Sequence, residues 1–163
     1  MPHKTIAIAS DHAGFELKAK IVAELKELGY KVQDFGTNNA DPVDYPDYAG
    51  KVAKYLSEGK AAFGVLICNS GIGMSIAANR YPLVRAALVR DIEDAVLSRQ
   101  HNNANILVFG ANRTDALLAI ELLKVFLTTP FMEGRHLIRV AKLSELPIKS
   151  QSLNTNKQQG KKK

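Results

Sequence analysis

Short apolar runs alternate along the chain with longer segments whose apolar side chains recur at helical spacing. TIAIAS (5–10) predicts a strand. In AGFELKAKIVAELKELG (13–29), Phe15, Leu17, Ile21, Val22, Leu25 and Leu28 fall near the helical period, and Gly29 is the stop. KVQDFG (31–36) predicts a second strand, and the Asn-, Asp- and Pro-rich stretch 37–46 a loop. A second helix over 48–58 ends at Gly59. AAFGVLIC (61–68), VRAALV (84–89) and NILVFG (105–110) bring the strands to five. The third helix begins with GMSIAANR (73–80), and the fourth, over 91–102, has an acidic start that suits the helix dipole. The fifth covers 114–129 with Thr114 as N-cap, and a last helix covers 131–146, or starts near Glu133.

Five β units alternating with helices predict an α/β protein with a parallel sheet and helices on both faces. Near-continuous apolar strands fit a sheet buried on both sides. In such sheets ligands bind outside the carboxyl ends of the strands. On this reading one rim gathers Ser10-Asp11-His12-Ala13-Gly14, Cys68-Asn69-Ser70-Gly71-Ile72-Gly73, Arg90-Asp91 and Gly110-Ala111-Asn112-Arg113. It holds an acid, a histidine, a thiol, the amides of a glycine turn and guanidinium groups.

The turn Asn69–Gly73 suits an anion, because a helix N-terminus presents unpaired N–H groups and glycine lets a ligand approach the main chain. It lacks the Gly-Lys-Ser/Thr of a Walker A loop and the GxGxxG spacing, so a tight strand-to-helix connection fits equally well. Cys68, just before that turn, can be a base or nucleophile, since a thiol at a helix N-terminus is favoured as thiolate. A buried structural cysteine is the alternative. Asp11 suits a cap as well as catalysis. His101 ends the fourth helix, where the dipole favours histidine, and Asn102, Asn103 and Asn105 suit a turn or hydroxyl recognition. Arg135 and Arg139 share a helix face at i and i+4, fit for phosphate or a solvated basic surface. With no HExxH or CxxC spacing, no metal site is expected.

Composition narrows the setting. A chain of 163 residues, 46% hydrophobic, fits one domain with a full core. One cysteine cannot form an internal disulfide, which favours a reducing compartment. No apolar run nears the roughly 20 residues of a membrane span. The start MPHKTIAIAS lacks the form of a signal peptide. A cytoplasmic protein with no membrane partner is expected. The net charge is +6, but Ile148 to Lys163 holds five lysines and no acid; subtracting those five leaves +1 for the rest. Residues 147–163 therefore read as a basic, disordered tail after a domain of residues 1–146. It suits a solubilising extension better than a nucleic-acid contact.

Five stretches, IASDHAGFELK, DYPDYA, GVLICNSGIGMSIAANR, LSRQHNNANILVFG and GRHLIRV, together resemble the ribose-5-phosphate isomerase B family, which includes galactose- and allose-6-phosphate isomerases. They stand in the family's order and cover residues 5 to about 142. The resemblance implies a three-layer α/β/α sandwich with a five-stranded parallel, Rossmann-like sheet. It also implies interconversion of ribose 5-phosphate and ribulose 5-phosphate through a cis-enediolate, without metal or cofactor. Cys68 matches the base of members with cysteine there. Other members have Ser and use a Glu shortly after the glycine turn, where this chain has Met74 or Ser75. His101 matches the residue that opens the furanose ring. Asp11 and His12 match contacts to the sugar and its ring oxygen or phosphate end. The amides of Asn69, Ser70, Gly71, Ile72 and Gly73 match the pocket that stabilises the enediolate. Tyr45 and Asn102 match substrate contacts, and Arg135 and Arg139 phosphate ligands.

Family members form homodimers or homotetramers with the site at a subunit interface. That implies a site shared between chains, with Cys68 from one and His101 from the other. The run FGANR departs from the pattern: Arg113 stands three residues after Gly110, where many members have Arg two after, so its reach to phosphate is an open expectation. Asn69-Ser70 also stands where close relatives differ. Two rival readings are a six-carbon 6-phosphate sugar as substrate and a non-catalytic phosphosugar-binding module. The module would lack the base or the ring-opening residue, and both are present.

Overall fold

A computed structural model describes residues 4–146. The tail expected over 147–163 lies outside the described residues. The elements run β1 (Thr5–Ser10), α1 (Phe15–Glu27), β2 (Lys31–Asp34), α2 (Tyr45–Ser57), β3 (Phe63–Cys68), α3 (Ile72–Ala78), β4 (Ala86–Leu88), α4 (Ile92–Gln100), β5 (Ile106–Gly110), α5 (Ala116–Thr128) and α6 (Arg135–Glu145). The strands pair in parallel in the order β2-β1-β3-β5-β4. The expected five-stranded parallel sheet is present.

Alternation along the strands builds the layers, because successive side chains point to opposite faces. On one face Ile6 and Ile8 of β1, Val65 and Ile67 of β3, and Leu107 and Phe109 of β5 pack with Leu17, Ile21 and Leu25 of α1 and Ala119, Leu122, Leu123 and Phe126 of α5. On the other, Ala7, Ala9, Leu66, Cys68, Ile106 and Val108 pack with Ala49, Val52, Ala53 and Leu56 of α2 and Met74 and Ala78 of α3. Alanines at 7, 9, 49 and 53 keep side chains short between β1 and α2. Cys68 is thus the last residue of the α2/α3 face before the strand ends.

Several element ends differ from expectation for local reasons. The second helix starts at Tyr45, not 48, because Pro46 in the first turn loses no helical hydrogen bond. Thr114 does not cap α5. Asp115 does, its side chain accepting from the Leu118 N–H, while Thr114 is buried and its N–H donates to the Gly110 carbonyl. The last helix begins only at Arg135, because Glu133 and Gly134 both have positive φ, 58° and 54°, outside the right-handed helical region.

Candidate active site

Cys68 ends β3 with its side chain turned into the α2/α3 face and only 5% exposed. The chain then turns through Asn69 and Ser70 to Gly71, which has φ 79°. A Cβ there would run into Leu88 and the backbone of Phe109, so conformation and space both require glycine. This geometry aims the Gly71 N–H back at Cys68, donating to Sγ at 3.2 Å. The Ser70 hydroxyl accepts from the Ile72 N–H at 3.3 Å. Gly73, one residue into α3, lies against the Tyr45 ring at the start of α2. Thiol, turn amides and Tyr45 therefore form one cluster.

The neighbouring strand ends complete this rim. Asp11 follows β1 and is buried, its N–H donating to the Ile67 carbonyl. Its Oδ1 accepts from the Ala13 and Gly14 N–H groups at 3.0 and 3.2 Å, holding the turn into α1. His12 accepts at Nδ1 from the Val43 N–H at 3.2 Å, which ties the loop before α2 to this rim. With Nδ1 an acceptor, the neutral ring carries its proton on Nε2. On the other side Ala111 and Asn112 donate their N–H groups to the carbonyls of Cys68 and Asn69 at 2.9 and 3.0 Å. Arg113 follows in that turn, exposed.

His101, Asn102, Arg135 and Arg139 do not join this group within one chain. His101 caps the C-terminus of α4 and precedes β5, so it lies at the amino end of the sheet. The registers Gly64↔Ile106 and Cys68↔Gly110 put four residues of strand, about 13 Å, between the two ends. Arg135 and Arg139 stand exposed on α6 near His101, since His136 between them stacks on its ring with centroids 4.4 Å apart and planes at 10°. His136 is buried, and its pKa is lowered by that burial and then by the charges of His101, Arg135 and Arg139. It was not among the expected site residues; the only sequence signal was its place between the two arginines in GRHLIR. A cavity of about 470 Å³ between α3, β4, α4 and α6 takes in Asn102, Arg85, Ser98 and Leu143 but does not contain Cys68. Among the described residues no group of three or more His, Cys, Asp or Glu could hold a metal ion. No described helix is long and apolar enough to cross a membrane.

Comparison with known proteins decides the family. Residues 6–143 match the model of the Ribose/Galactose Isomerase family. The chain belongs to that family. Ribose-5-phosphate isomerase B of Escherichia coli is 41% identical over 143 residues, covering 88% of this chain and 96% of its own. A crystal structure of a ribose 5-phosphate isomerase from Thermotoga maritima matches with TM-score 0.86 at 51% identity, over 88% of this chain and 99% of that one. The type B ribose 5-phosphate isomerase of Trypanosoma brucei matches with TM-score 0.84 at 42% identity, over 87% and 97%. Like these relatives of the ribose/galactose isomerase family, the chain is a sugar-phosphate isomerase built on a parallel three-layer fold.

Proposed function

We propose that the protein interconverts ribose 5-phosphate and ribulose 5-phosphate through a cis-enediolate. The observation that carries the reading is the Gly71 N–H aimed at Cys68 Sγ in a turn that opens α3, with Asp11 and His12 on the adjoining strand end. His101 assists ring opening, in which the anomeric hydroxyl loses its proton and the ring oxygen gains one. Cys68, as thiolate, then takes the proton from C2 of the open aldose. The electron pair forms the C1–C2 double bond and the carbonyl π pair moves to O1. Transfer of the O2 proton to O1, re-formation of a carbonyl at C2 and return of the proton from Cys68 to C1 yield the ketose. No redox partner is needed. The amides of Asn69, Ser70, Gly71, Ile72 and Gly73 stabilise the enediolate oxygens. Tyr45 and Asn102 bind the sugar, and His12, Arg135, Arg139 and Arg113 its phosphate end.

The reading includes a homodimer or homotetramer with a shared site. Two observations support it. The groups assigned to one substrate lie at opposite ends of the sheet in a single chain. Helix α6, which carries both arginines, leaves Leu137 and Ile138 exposed at 50% and 68%, apolar surface that a second copy would cover.

The test is isomerisation of ribose 5-phosphate, with EDTA present, by the wild type, Cys68→Ala, His101→Ala and a co-refolded mixture of the two variants. Cys68→Ala should lose about two to four orders of magnitude in kcat. In a mixed dimer one site carries both substitutions and the other neither, so the mixture should regain about one quarter of wild-type activity. An active Cys68→Ala would remove the thiol as base, and a mixture no better than its parts would remove the shared site. Preference for allose 6-phosphate over ribose 5-phosphate would assign a six-carbon substrate. A chain ending at Leu146 should isomerise as the full chain does.

A further inference from the structure

Two arginines that the proposed chemistry does not use grip the turn that carries His101 and Asn102. Arg99, on the last turn of α4, is buried at 8% exposure. Its Nη1 donates to the Asn103 side-chain oxygen at 2.9 Å and to the Ala104 carbonyl at 2.6 Å, and its Nε to the Thr129 carbonyl at 3.3 Å. The guanidinium lies over the rings of Phe63 and Phe126, 4.9 and 5.5 Å from their centroids. Arg85, before β4, reaches the same turn from the other side. Its Nε donates to the Asn103 carbonyl at 2.8 Å, and its backbone N–H to the Asn105 side-chain oxygen at 2.8 Å. Asn105 closes the ring of contacts through its side-chain amide to the Leu83 carbonyl and its N–H to the Arg85 carbonyl. Asn103, held by one arginine at its side chain and the other at its carbonyl, has φ 46°, a conformation asparagine tolerates better than most residues.

The arrangement is costly for a mere turn. Among the described residues neither arginine has an ion-pair partner, so Arg99 is withdrawn from water beside a partly buried Arg85 with only carbonyl and amide oxygens to receive their charges. Burial lowers the pKa of both, and the charge of Arg85 lowers that of Arg99 further. A simple connection between α4 and β5 could be closed by backbone bonds alone, as in the Ala104 N–H to Ser98 carbonyl bond already present. The arginines add rigidity at Asn103, the residue after the His101-Asn102 pair. We propose that Arg99 and Arg85 are positioning residues that fix the His101-Asn102 turn in the geometry ring opening requires. This rests on the reading of His101 as the ring-opening group. Each acts through Asn103, which both hold.

The fork matters more than the charge. A lysine at 99 keeps the charge but cannot hold Asn103, Ala104 and Thr129 together while lying flat over two rings. Arg99→Lys should lower kcat on ribose 5-phosphate about 10- to 100-fold, since misplacement of a catalytic group by about 1 Å costs on that order. Asn103→Gly, which keeps the positive φ but removes the side chain that Arg99 holds, should act in the same direction and decides the matter if Arg99→Lys does not fold. The distinguishing measurement is a double-mutant cycle with His101→Ala, run alongside NMR of the His101 ring carbons and protons in the ligand-free enzyme. Positioning predicts that the kcat loss vanishes in the His101→Ala background and that the His101 ring resonances shift in both variants. Equal loss in both backgrounds, or unmoved ring resonances, would overturn the proposal. Wild-type kcat in His101→Ala itself would instead sink the ring-opening role, a failure that the ring resonances keep separate from that of the clamp.

Discussion

His101 and His136, 35 positions apart, lie ring on ring at 4.4 Å, and both belong to the end of the molecule that carries Arg135 and Arg139. Burial first, and then the neighbouring charges of His101, Arg135 and Arg139, make a proton on His136 unfavourable, so the folded state holds it below its ordinary value of 6.5. The unfolded chain binds a proton there more readily than the folded one. Stability from this group is therefore complete above about pH 6.5 and is lost as the pH falls through the depressed folded-state value. Thermal midpoints from pH 8 to pH 5 should fall for the wild type and fall less steeply for His136→Gln. Parallel curves would mean that the unfolding protein takes up no proton at this residue.

Lys18 is the cation most fully removed from water on α1, with its side chain 4% exposed. It donates to both carboxylate oxygens of Asp34 at 2.6 Å and to the Asn38 side chain at 3.1 Å. Asp34→Ala should cost about 2–4 kcal/mol, less than a fully enclosed pair because Asp34 is itself a third exposed. Lys18→Met in the same chain should recover most of that loss. Urea midpoints of the three variants are the measurement, and no recovery in the double variant would mean that the lost Gly36 N–H contact to Asp34 dominates.

The two glycines flanking Ile72 should respond in opposite ways to alanine. Gly71 has φ 79° with no room beside it, so Gly71→Ala should destabilise by at least about 1–3 kcal/mol. Gly73 is helical, and the three atoms nearest a Cβ there all belong to the Tyr45 ring, the first at 2.6 Å, a side chain 40% exposed. Gly73→Ala should leave the urea midpoint within about 1 kcal/mol of wild type, because the helix gains what the displaced ring loses. Its kcat/KM should nevertheless fall about tenfold or more, as one misplaced substrate contact would cause. An unchanged kcat/KM would remove Tyr45 from the substrate site.

Arg139→Ala should raise KM for the phosphorylated sugar about 10- to 100-fold, the worth of a charge-assisted contact of roughly 1.5–3 kcal/mol, while kcat changes less. Inhibition by inorganic phosphate should weaken in parallel. Equal inhibition of wild type and variant would leave Arg139 as solvated surface.

The order and type of every element could be read from the chain: β1, β3 and β5 are apolar runs buried on both faces and α1 buries Leu17, Ile21 and Leu25 at helical spacing, while α4, which buries Ala95, Ser98 and Arg99, shows itself by its acidic start instead. The ends were harder, since each turned on one or two residues: Pro46 tolerated in the first turn of a helix, Asp115 outcompeting Thr114, Glu133 and Gly134 at positive φ. Reading the strand ends found the Cys68 rim, because parallel sheets collect ligand groups at that edge. The same rule cannot find His101, which precedes a strand, and the resemblance alone singled it out. The pairing of His101 with His136 and the joint grip of Arg85 and Arg99 on Asn103 were invisible in spacing, since tertiary packing sets both.

The strand order also bears on how the chain is made. β1 and β2 can pair as soon as Asp34 has emerged from the ribosome, and β3 can dock on β1. β4 has no such choice: among the described residues its neighbour in the sheet is β5, which lies later in the chain, so until Gly110 has emerged Ala86–Leu88 lacks its native edge. For a stretch of synthesis the nascent protein is thus a three-stranded sheet with an open edge at β3, the strand that ends in Cys68. That edge is an aggregation risk, and the arrival of β5 closes it.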